Sequence, residues 1–189
     1  MPNWCNNTVE LYHDDPVMIE RARKAFNDAE FLNEFIPVPQ SLRDTVSGSV
    51  GQDARAAHEA QMEANLAAHG YKDWYDYCVN EWGTKWDVGG DDGINDVQPN
   101  ELTVFFESAW APPLAAYEKM ADLGFEIDAM YEESGMAFCG RWTNEGGDDY
   151  YEYGGMSSEQ AEKELPQDLN EAFSISENIA YMEEEQQDD

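Results

Sequence analysis

One short segment of the sequence places polar, chemically useful side chains between aromatic ones. From position 82 to position 87 the chain reads Trp-Gly-Thr-Lys-Trp-Asp. Apolar walls with a few convergent polar groups are typical of a ligand pocket, so the candidate pocket residues are Trp82, Lys85, Trp86 and Asp87. The alternative is a helix-to-strand corner, with the tryptophans packed in the core and Lys85 paired to a nearby carboxylate. The corner is favoured, because aromatic residues at this spacing usually belong to a core.

Other residue types that could support catalysis or metal binding lack the spacing that such chemistry needs. The sequence contains no nucleophile elbow, P-loop, dinucleotide-binding glycine motif or zinc-protease helix motif. The three cysteines are far apart and form no CxxC pair, which predicts reduced, buried thiols in a cytosolic protein. We therefore predict no catalytic residues, no cofactor and no metal site.

A Gly-Gly-Asp-Asp sequence occurs twice, at residues 89–92 and 146–149. Aspartate-rich glycine loops can bind calcium or magnesium, but neither copy has the alternating ligands of an EF-hand loop. Glycine and aspartate are also ordinary turn residues, and the turn interpretation is favoured.

The net charge is the strongest feature of the composition. The chain has 189 residues with 41 acidic and 10 basic side chains, which give a formal charge of −31. Residues 144–189 alone hold 15 acidic residues and 1 basic residue. Such a field repels phosphate backbones and anionic lipids and attracts basic proteins, so we predict no direct nucleic-acid binding.

The charge density is comparable to that of DNA. A charge of −31 equals that of about 53 Å of duplex, while a compact chain of this length is only about 40 Å across. Mimicry of nucleic acid is one interpretation, and solubility or adaptation to high salt is the other. For mimicry, the candidate partner-binding residues are Asp91, Asp92, Asp96, Asp148, Asp149 and Glu152.

The order of the predicted elements indicates an α+β fold. It runs strand, helix, helical insertion, strand, strand, helix, strand, strand, which is the split βαβ plan of a ferredoxin-like domain. We expect a mostly antiparallel sheet with helices on one face. The predicted domain spans residues 1–156, with the insertion at about 33–83, and an acidic helical extension covers residues 157–189.

The resemblance to a known family rests on several ordered motifs. They are the opening Met-Pro-Asn-Trp-Cys-Asn-Asn, Phe-Ile-Pro-Val-Pro at 35–39, the block at 74–87, Phe-Glu-Ser-Ala-Trp-Ala-Pro-Pro at 106–113 and Tyr-Glu-Glu-Ser-Gly-Met at 131–136. Over roughly residues 1–143 the chain resembles the YubB-like, ferredoxin-like domain family of bacteriophages and conjugative plasmids. Ser134 stands where that family has proline. The resemblance implies a fold and a mobile-element origin, and no activity.

Three functions follow as hypotheses. The first is a phage- or plasmid-encoded binding protein that inhibits or modulates a basic host protein of defence or transcription, in the host cytoplasm. The second is a small-ligand binder or enzyme at the Trp82–Trp86 corner, and the third is a salt-adapted structural domain without such a partner. No apolar run is long enough to cross a membrane and no secretory signal is recognisable at the start of the chain, so no membrane association is expected.

Overall fold

The protein is built on a six-stranded antiparallel sheet. The computed structural model describes residues 3–90 and 93–185. In this part of the chain the strand order is β2-β3-β1-β4-β5-β6. The strands are β1 (Trp4–Tyr12), β2 (Ile94–Gln98), β3 (Glu101–Ala109), β4 (Glu126–Glu133), β5 (Phe138–Thr143) and β6 (Gly147–Glu152).

The helices fall into three groups along the chain. The two helices of the basic fold are α1 (Pro16–Asn27) and α6 (Leu114–Asp122). Between α1 and β2 lie α2 (Phe31–Phe35), α3 (Gln40–Arg43), α4 (Arg55–His69) and α5 (Trp74–Glu81). After β6 follow α7 (Ser158–Glu164), α8 (Gln167–Phe173) and α9 (Ile175–Glu185).

The connections are those of a ferredoxin-like domain. Strand β1 pairs antiparallel with both β3 and β4 and lies between them. Therefore β1 and β2 run parallel with β3 between them, and β3 and β4 run parallel with β1 between them. These are two split βαβ units, as predicted from the order of elements. The strands β5 and β6 extend the sheet beyond β4.

Local sequence signals account for the helix ends. The Asp15 side chain accepts a hydrogen bond from the Val17 amide at 2.9 Å, and Pro16 occupies the first helical position of α1. Gly70 ends α4 in the left-handed conformation, at φ 83°. Asp73 then caps α5 by accepting from the Asp76 amide at 2.9 Å.

The main core lies between α1, α6 and one face of the sheet. Alternate residues of the strands point into it, as the two-residue period of a strand requires. The largest side chains of this core are fully buried, among them Phe26, Phe31, Tyr117, Met120, Phe125 and Leu102. The α5 residues Cys78 and Trp82, the latter at its C-cap, join this core, so the end of the insertion is part of it.

A second apolar cluster lies on the opposite face of the sheet, under the C-terminal helices. It consists of Cys139, Tyr153, Ala161, Leu165, Leu169 and Ile175. Cys139 and Trp142 of β5 are three residues apart, so their side chains point to opposite faces of the sheet. Because Cys139 belongs to the second cluster and Trp142 to the main core, the two clusters lie on opposite faces. The helices of the ferredoxin-like plan therefore share one face, and α7 to α9 cover part of the other.

An ion-pair cluster joins α8 to the sheet beside this second core. Arg141 of β5 donates from Nε to Asp128 of β4 at 2.7 Å and from Nη1 to Asp168 of α8 at 2.9 Å. The two carboxylates raise the pKa of the Arg141 guanidinium above its usual value, and the hydrogen bond that Arg141 donates to Asp128 is the largest cause.

Two details differ from the sequence predictions. The continuous apolar character of residues 102–106 predicts a strand buried on both faces, but Phe105 is 45% exposed because no described helix covers the outer face of β3. The sequence of residues 85–97 predicts a strand on each side of its Gly/Asp loop, whereas the described residues of this segment form a strand only after the loop, from Ile94. In the ranges 3–90 and 93–185, no helix is both long and apolar enough to cross a membrane.

Candidate functional site

The predicted pocket residues lie in the connection between α5 and β2, but they do not converge. Trp82 is 4% exposed and its indole Nε1–H donates to the Ile36 carbonyl at 2.9 Å. Gly83 turns the chain at φ 90°, and a Cβ there would lie 3.1 Å from the Leu114 amide nitrogen. Thr84 is buried and donates to the Ala109 carbonyl at 3.0 Å. This half of the corner is structural.

Lys85 and Trp86 form the outward half of the corner. The Lys85 ammonium lies 4.5 Å from the ring centre of Trp86, 5.1 Å from that of Trp110 and 5.7 Å from that of Tyr75. Among the described residues no carboxylate forms an ion pair with Lys85, so cation–π contacts hold it instead. Trp82 thus packs as the corner interpretation expects, whereas Trp86 is 37% exposed and Lys85 has a different partner from the one expected.

Trp4 extends these aromatic side chains along the surface. Its ring centre lies 5.9 Å from that of Trp86, and it is 44% exposed. Trp110 is 43% exposed and adopts φ 69°, a conformation that is uncommon for a bulky residue. A groove of about 330 Å³ beside Trp4 and Trp86 has Phe105 and Glu107 among its lining residues. Exposed aromatic clusters of this kind are typical of interaction surfaces.

Asp87 faces inward and stabilises the beginning of α2. Its carboxylate accepts from the amides of Leu32 at 2.7 Å, Asn33 at 3.0 Å and Val88 at 2.8 Å. Burial raises the pKa of Asp87 to about 6, although the three hydrogen bonds favour the charged form. Asp87 therefore joins the two ends of the insertion rather than facing a ligand.

The raised pKa of Asp87 predicts a specific pH dependence. The native state binds this proton below about pH 6, while the unfolded state binds it only below the ordinary value of 3.8. The contribution of Asp87 to stability is therefore fully present below about pH 3.8 and is lost as the pH rises through 6. We expect the free energy of unfolding of the wild type, relative to Asp87→Asn, to fall by up to about 3 kcal/mol between pH 4 and pH 7.

Urea unfolding of both proteins at several pH values measures this difference. The matched control is Asp53→Asn, which removes one charge from an exposed position in the insertion. The same pH dependence in both variants would contradict the role given to Asp87.

The candidate partner-binding carboxylates lie at opposite edges of the sheet. Asp91 and Asp92 lie outside the described residues, and Asp96 belongs to the edge strand β2, with a side chain that the structure does not describe. The other three, Asp148, Asp149 and Glu152, are exposed on the opposite edge strand β6. Five strand spacings separate the two edges, or about 24 Å, so the two groups do not form one cluster.

The three β6 carboxylates also differ among themselves. Asp148 accepts from the Tyr131 hydroxyl at 2.7 Å. Glu152 accepts from the Tyr150 hydroxyl at 3.5 Å. Alternation along the strand places Asp149 on the other face from these two. Charged side chains on an edge strand also prevent association of sheets, which is the structural alternative to a binding role.

The two Gly-Gly-Asp-Asp sequences meet different structural needs. In the first, Gly89 has φ 122°, and a Cβ there would lie 2.2 Å from the Phe26 carbonyl oxygen, so only glycine allows this approach. In the second, Gly147 begins β6 at φ 69°, and the Gly146 amide donates to Thr143 Oγ1 at 3.0 Å. Both glycine pairs are explained by backbone geometry.

The cysteines are buried thiols. Cys5, Cys78 and Cys139 are all free and buried, and burial raises the pKa of each to about 12. Thiolates are the nucleophilic form, and these environments disfavour them. In the part of the chain that the structure describes, no three metal-ligating side chains of the types His, Cys, Asp or Glu are grouped for an ion.

The structure also shows an acidic groove that sequence reasoning did not find. It has a volume of about 390 Å³ and lies on the uncovered face of β3, β1 and β4. We call it the sheet-face groove and define it by Glu10, Tyr12, Glu101, Thr103, Glu126 and Asp128. The alternation of residues along β1 predicts which side chains share a face of the sheet. The order of the strands, which brings β3, β1 and β4 together, is not indicated by any local sequence pattern.

Comparison with known proteins supports the fold. Residues 81–173 match the family model described as "Ferredoxin-like domain in Api92-like protein". This segment contains the Trp82–Asp87 corner, strands β2 to β6 and helices α6 to α8. The ferredoxin-like fold predicted from the sequence is confirmed.

Comparison of structures and of curated proteins adds little to this match. A crystal structure of protein api92 from Yersinia pseudotuberculosis is similar at a TM-score of 0.47 and 11% sequence identity, with 82% of this chain and 99% of that chain covered. No curated protein matches the chain in sequence.

Proposed function

We propose that the chain is an acidic binding protein that inhibits or modulates a basic, nucleic-acid-binding protein of its host. Its carboxylates would take the place of backbone phosphates in the partner's binding groove. A phage or plasmid origin among YubB-like proteins, a location in the host cytoplasm and a partner from defence or transcription are parts of this proposal.

The observation that carries the proposal is the uneven distribution of charge. Residues 90–189 contain 26 acidic and 3 basic residues, against 15 and 7 in residues 1–89. Two of those three cations form ion pairs: Lys119 with Glu81, and Arg141 with Asp128 and Asp168. The strands β2 to β6 and the C-terminal helices thus supply a strongly negative surface. A field of this kind speeds association with basic partners by about 10- to 1,000-fold.

The two alternatives have weaker support. Salt adaptation favours carboxylates scattered evenly over the molecule, and the difference between the two halves of the chain is a specific observation against it. A small-ligand site or enzyme at the corner needs convergent polar groups, and Asp87 and Lys85 have separate partners there.

A competition experiment tests the proposal. The full chain is immobilised, incubated with bacterial lysate at low salt, and washed with a DNA duplex of about 16 base pairs, which carries a similar charge. We expect the duplex to release a small number of nucleic-acid-binding proteins. If no retained protein is displaced by the duplex, the proposal is wrong.

Two variants of equal net charge test the location of the binding surface. The first neutralises β6 through Asp148→Asn, Asp149→Asn and Glu152→Gln. The second neutralises three exposed carboxylates of the insertion through Asp53→Asn, Glu59→Gln and Glu63→Gln. We expect the first to weaken binding of a released protein about tenfold and the second to change it less than about twofold. Equal losses would indicate a general charge effect.

A further inference from the structure

Three adjacent strands contribute acidic side chains to one part of the outer face of the sheet, which the C-terminal helices leave open. Glu10 of β1 is the register partner of Thr103 on β3 and of Asp128 on β4. Tyr12 is the register partner of Glu101 on one side and of Glu126 on the other. Glu10 and Asp128 are like charges directly opposite each other, which is destabilising, and Glu101 and Glu126 are diagonal neighbours of Glu10. This part of the face therefore concentrates negative charge, which a further cation would stabilise.

The described residues supply only part of that neutralisation. Arg141 pairs with Asp128, while Glu10, Glu101 and Glu126 form no ion pair within residues 3–90 and 93–185. Glu10 and Glu126 are exposed to solvent. The Arg141–Asp128 pair shows how a guanidinium fits this face, with Nε and Nη2 each donating to one carboxylate oxygen.

Phe105 lies on the same face beside these carboxylates, and Trp4 lies on that face about 20 Å further along β1. Phe105 follows Thr103 on the same side of β3, about 7 Å further along the strand. Phe105 is 45% exposed and Trp4, on the same side of β1, is 44% exposed. A planar guanidinium can bind a carboxylate through two hydrogen bonds and also stack on an aromatic ring, whereas an ammonium is a compact, strongly hydrated charge. Carboxylates and aromatic rings on one open surface therefore favour arginine over lysine.

We propose that the uncovered face of β3, β1 and β4 binds an extended, arginine-containing segment of a protein partner, with one arginine in the sheet-face groove. The proposal deepens the proposed function, since it rests on the same basic partner and names the chemistry of a second contact surface in addition to β6. The Glu10 and Glu126 carboxylates bind the guanidinium, and Phe105 contacts the neighbouring part of the segment. This surface is distinct from the carboxylates of β6.

A titration followed by NMR tests the proposal. The probe is a blocked peptide that alternates glycine with arginine, added to the full chain labelled with ¹⁵N. We expect the largest amide shifts in residues 8–12, 101–105 and 126–128. A lysine peptide of the same length should bind about three- to fivefold more weakly. Diffuse shifts over all acidic surfaces, or equal binding of both peptides, would overturn the proposal.

Matched variants separate the groove from general electrostatics. Glu10→Gln with Glu126→Gln should weaken the arginine peptide about fivefold, and Glu59→Gln with Glu63→Gln, of equal net charge, less than about twofold. Loss of like-charge repulsion should leave the groove variant at least as stable as the wild type, so misfolding would not explain its weaker binding. Equal weakening by both pairs would overturn the proposal.

Spermidine is a further probe of the groove. If spermidine binds the groove as tightly as the arginine peptide does, the site binds small polycations in general and the proposal is wrong.

The outcomes distinguish this inference from the proposed function. If duplex DNA releases a partner from the wild type, but the groove variant still binds that partner normally, the inference fails and the proposed function stands. If no partner is displaced by duplex DNA, but the arginine peptide binds the groove selectively, the proposed function fails and the surface assignment stands.

Discussion

Replacing Trp82 by alanine should lower the free energy of unfolding by about 3–5 kcal/mol. The side chain is 4% exposed and packs in the main core, so its removal leaves a large cavity. It also leaves the Ile36 carbonyl without the hydrogen bond from the indole nitrogen. Total stabilities of single domains are about 5–15 kcal/mol, so the variant should be close to the limit of folding.

Chemical denaturation of Trp82→Ala and Trp86→Ala side by side tests this assignment. The two tryptophans are four residues apart, but Trp86 is 37% exposed. Its removal should change stability by less than about 1 kcal/mol. Should the two variants be equally destabilised, the division of the corner into a buried and an exposed half would be wrong. Trp82→Phe keeps an aromatic ring but lacks the indole N–H, so it should lose the hydrogen bond, worth about 1 kcal/mol, together with part of the buried volume.

Replacing Leu169 by alanine should lower the stability of the whole domain by about 2–5 kcal/mol. Leu169 of α8 is 1% exposed and belongs to the second apolar cluster, which includes Cys139 from β5. The Arg141 ion pairs with Asp128 and Asp168 join α8 to the same strands. The C-terminal helices and the sheet should therefore unfold together.

Tryptophan fluorescence provides the measurement, because all six tryptophans precede residue 156. If unfolding is cooperative, Leu169→Ala shifts the fluorescence midpoint to lower denaturant although no tryptophan lies in the altered helix. The control is Leu123→Ala, at a position that is 47% exposed. An unchanged fluorescence midpoint in Leu169→Ala would show that α7 to α9 unfold as an independent unit.

The sequence predicted those features that depend on neighbouring residues. Three such local signals appear in the structure. Asp15 and Pro16 begin α1, Gly70 ends α4, and apolar residues alternate along β4. Together with the order of elements they were sufficient for the ferredoxin-like plan, since few topologies suit that order.

The features that were not predicted depend on distant contacts. Asp87 caps a helix that begins 56 residues earlier, and no pattern near position 87 indicates that partner. The sheet-face groove requires the register of three strands, which only the assembled sheet defines. The exposure of Phe105 depends on which part of the outer face the C-terminal helices cover, which strand periodicity cannot indicate.

The way in which α4 is attached has a consequence for motion. Asn65 is its buried residue, and the Asn65 amide donates to Thr45 Oγ1 at 2.8 Å and to the Lys72 carbonyl at 2.9 Å. Its other anchors are polar and exposed: His69 with Ser41, and His58 with the Val46 carbonyl. A 15-residue helix is marginal in water without an apolar face to bury. We therefore expect residues 45–72 to open and close as a local unit at a free energy well below that of global unfolding, while the sheet and both apolar clusters stay intact.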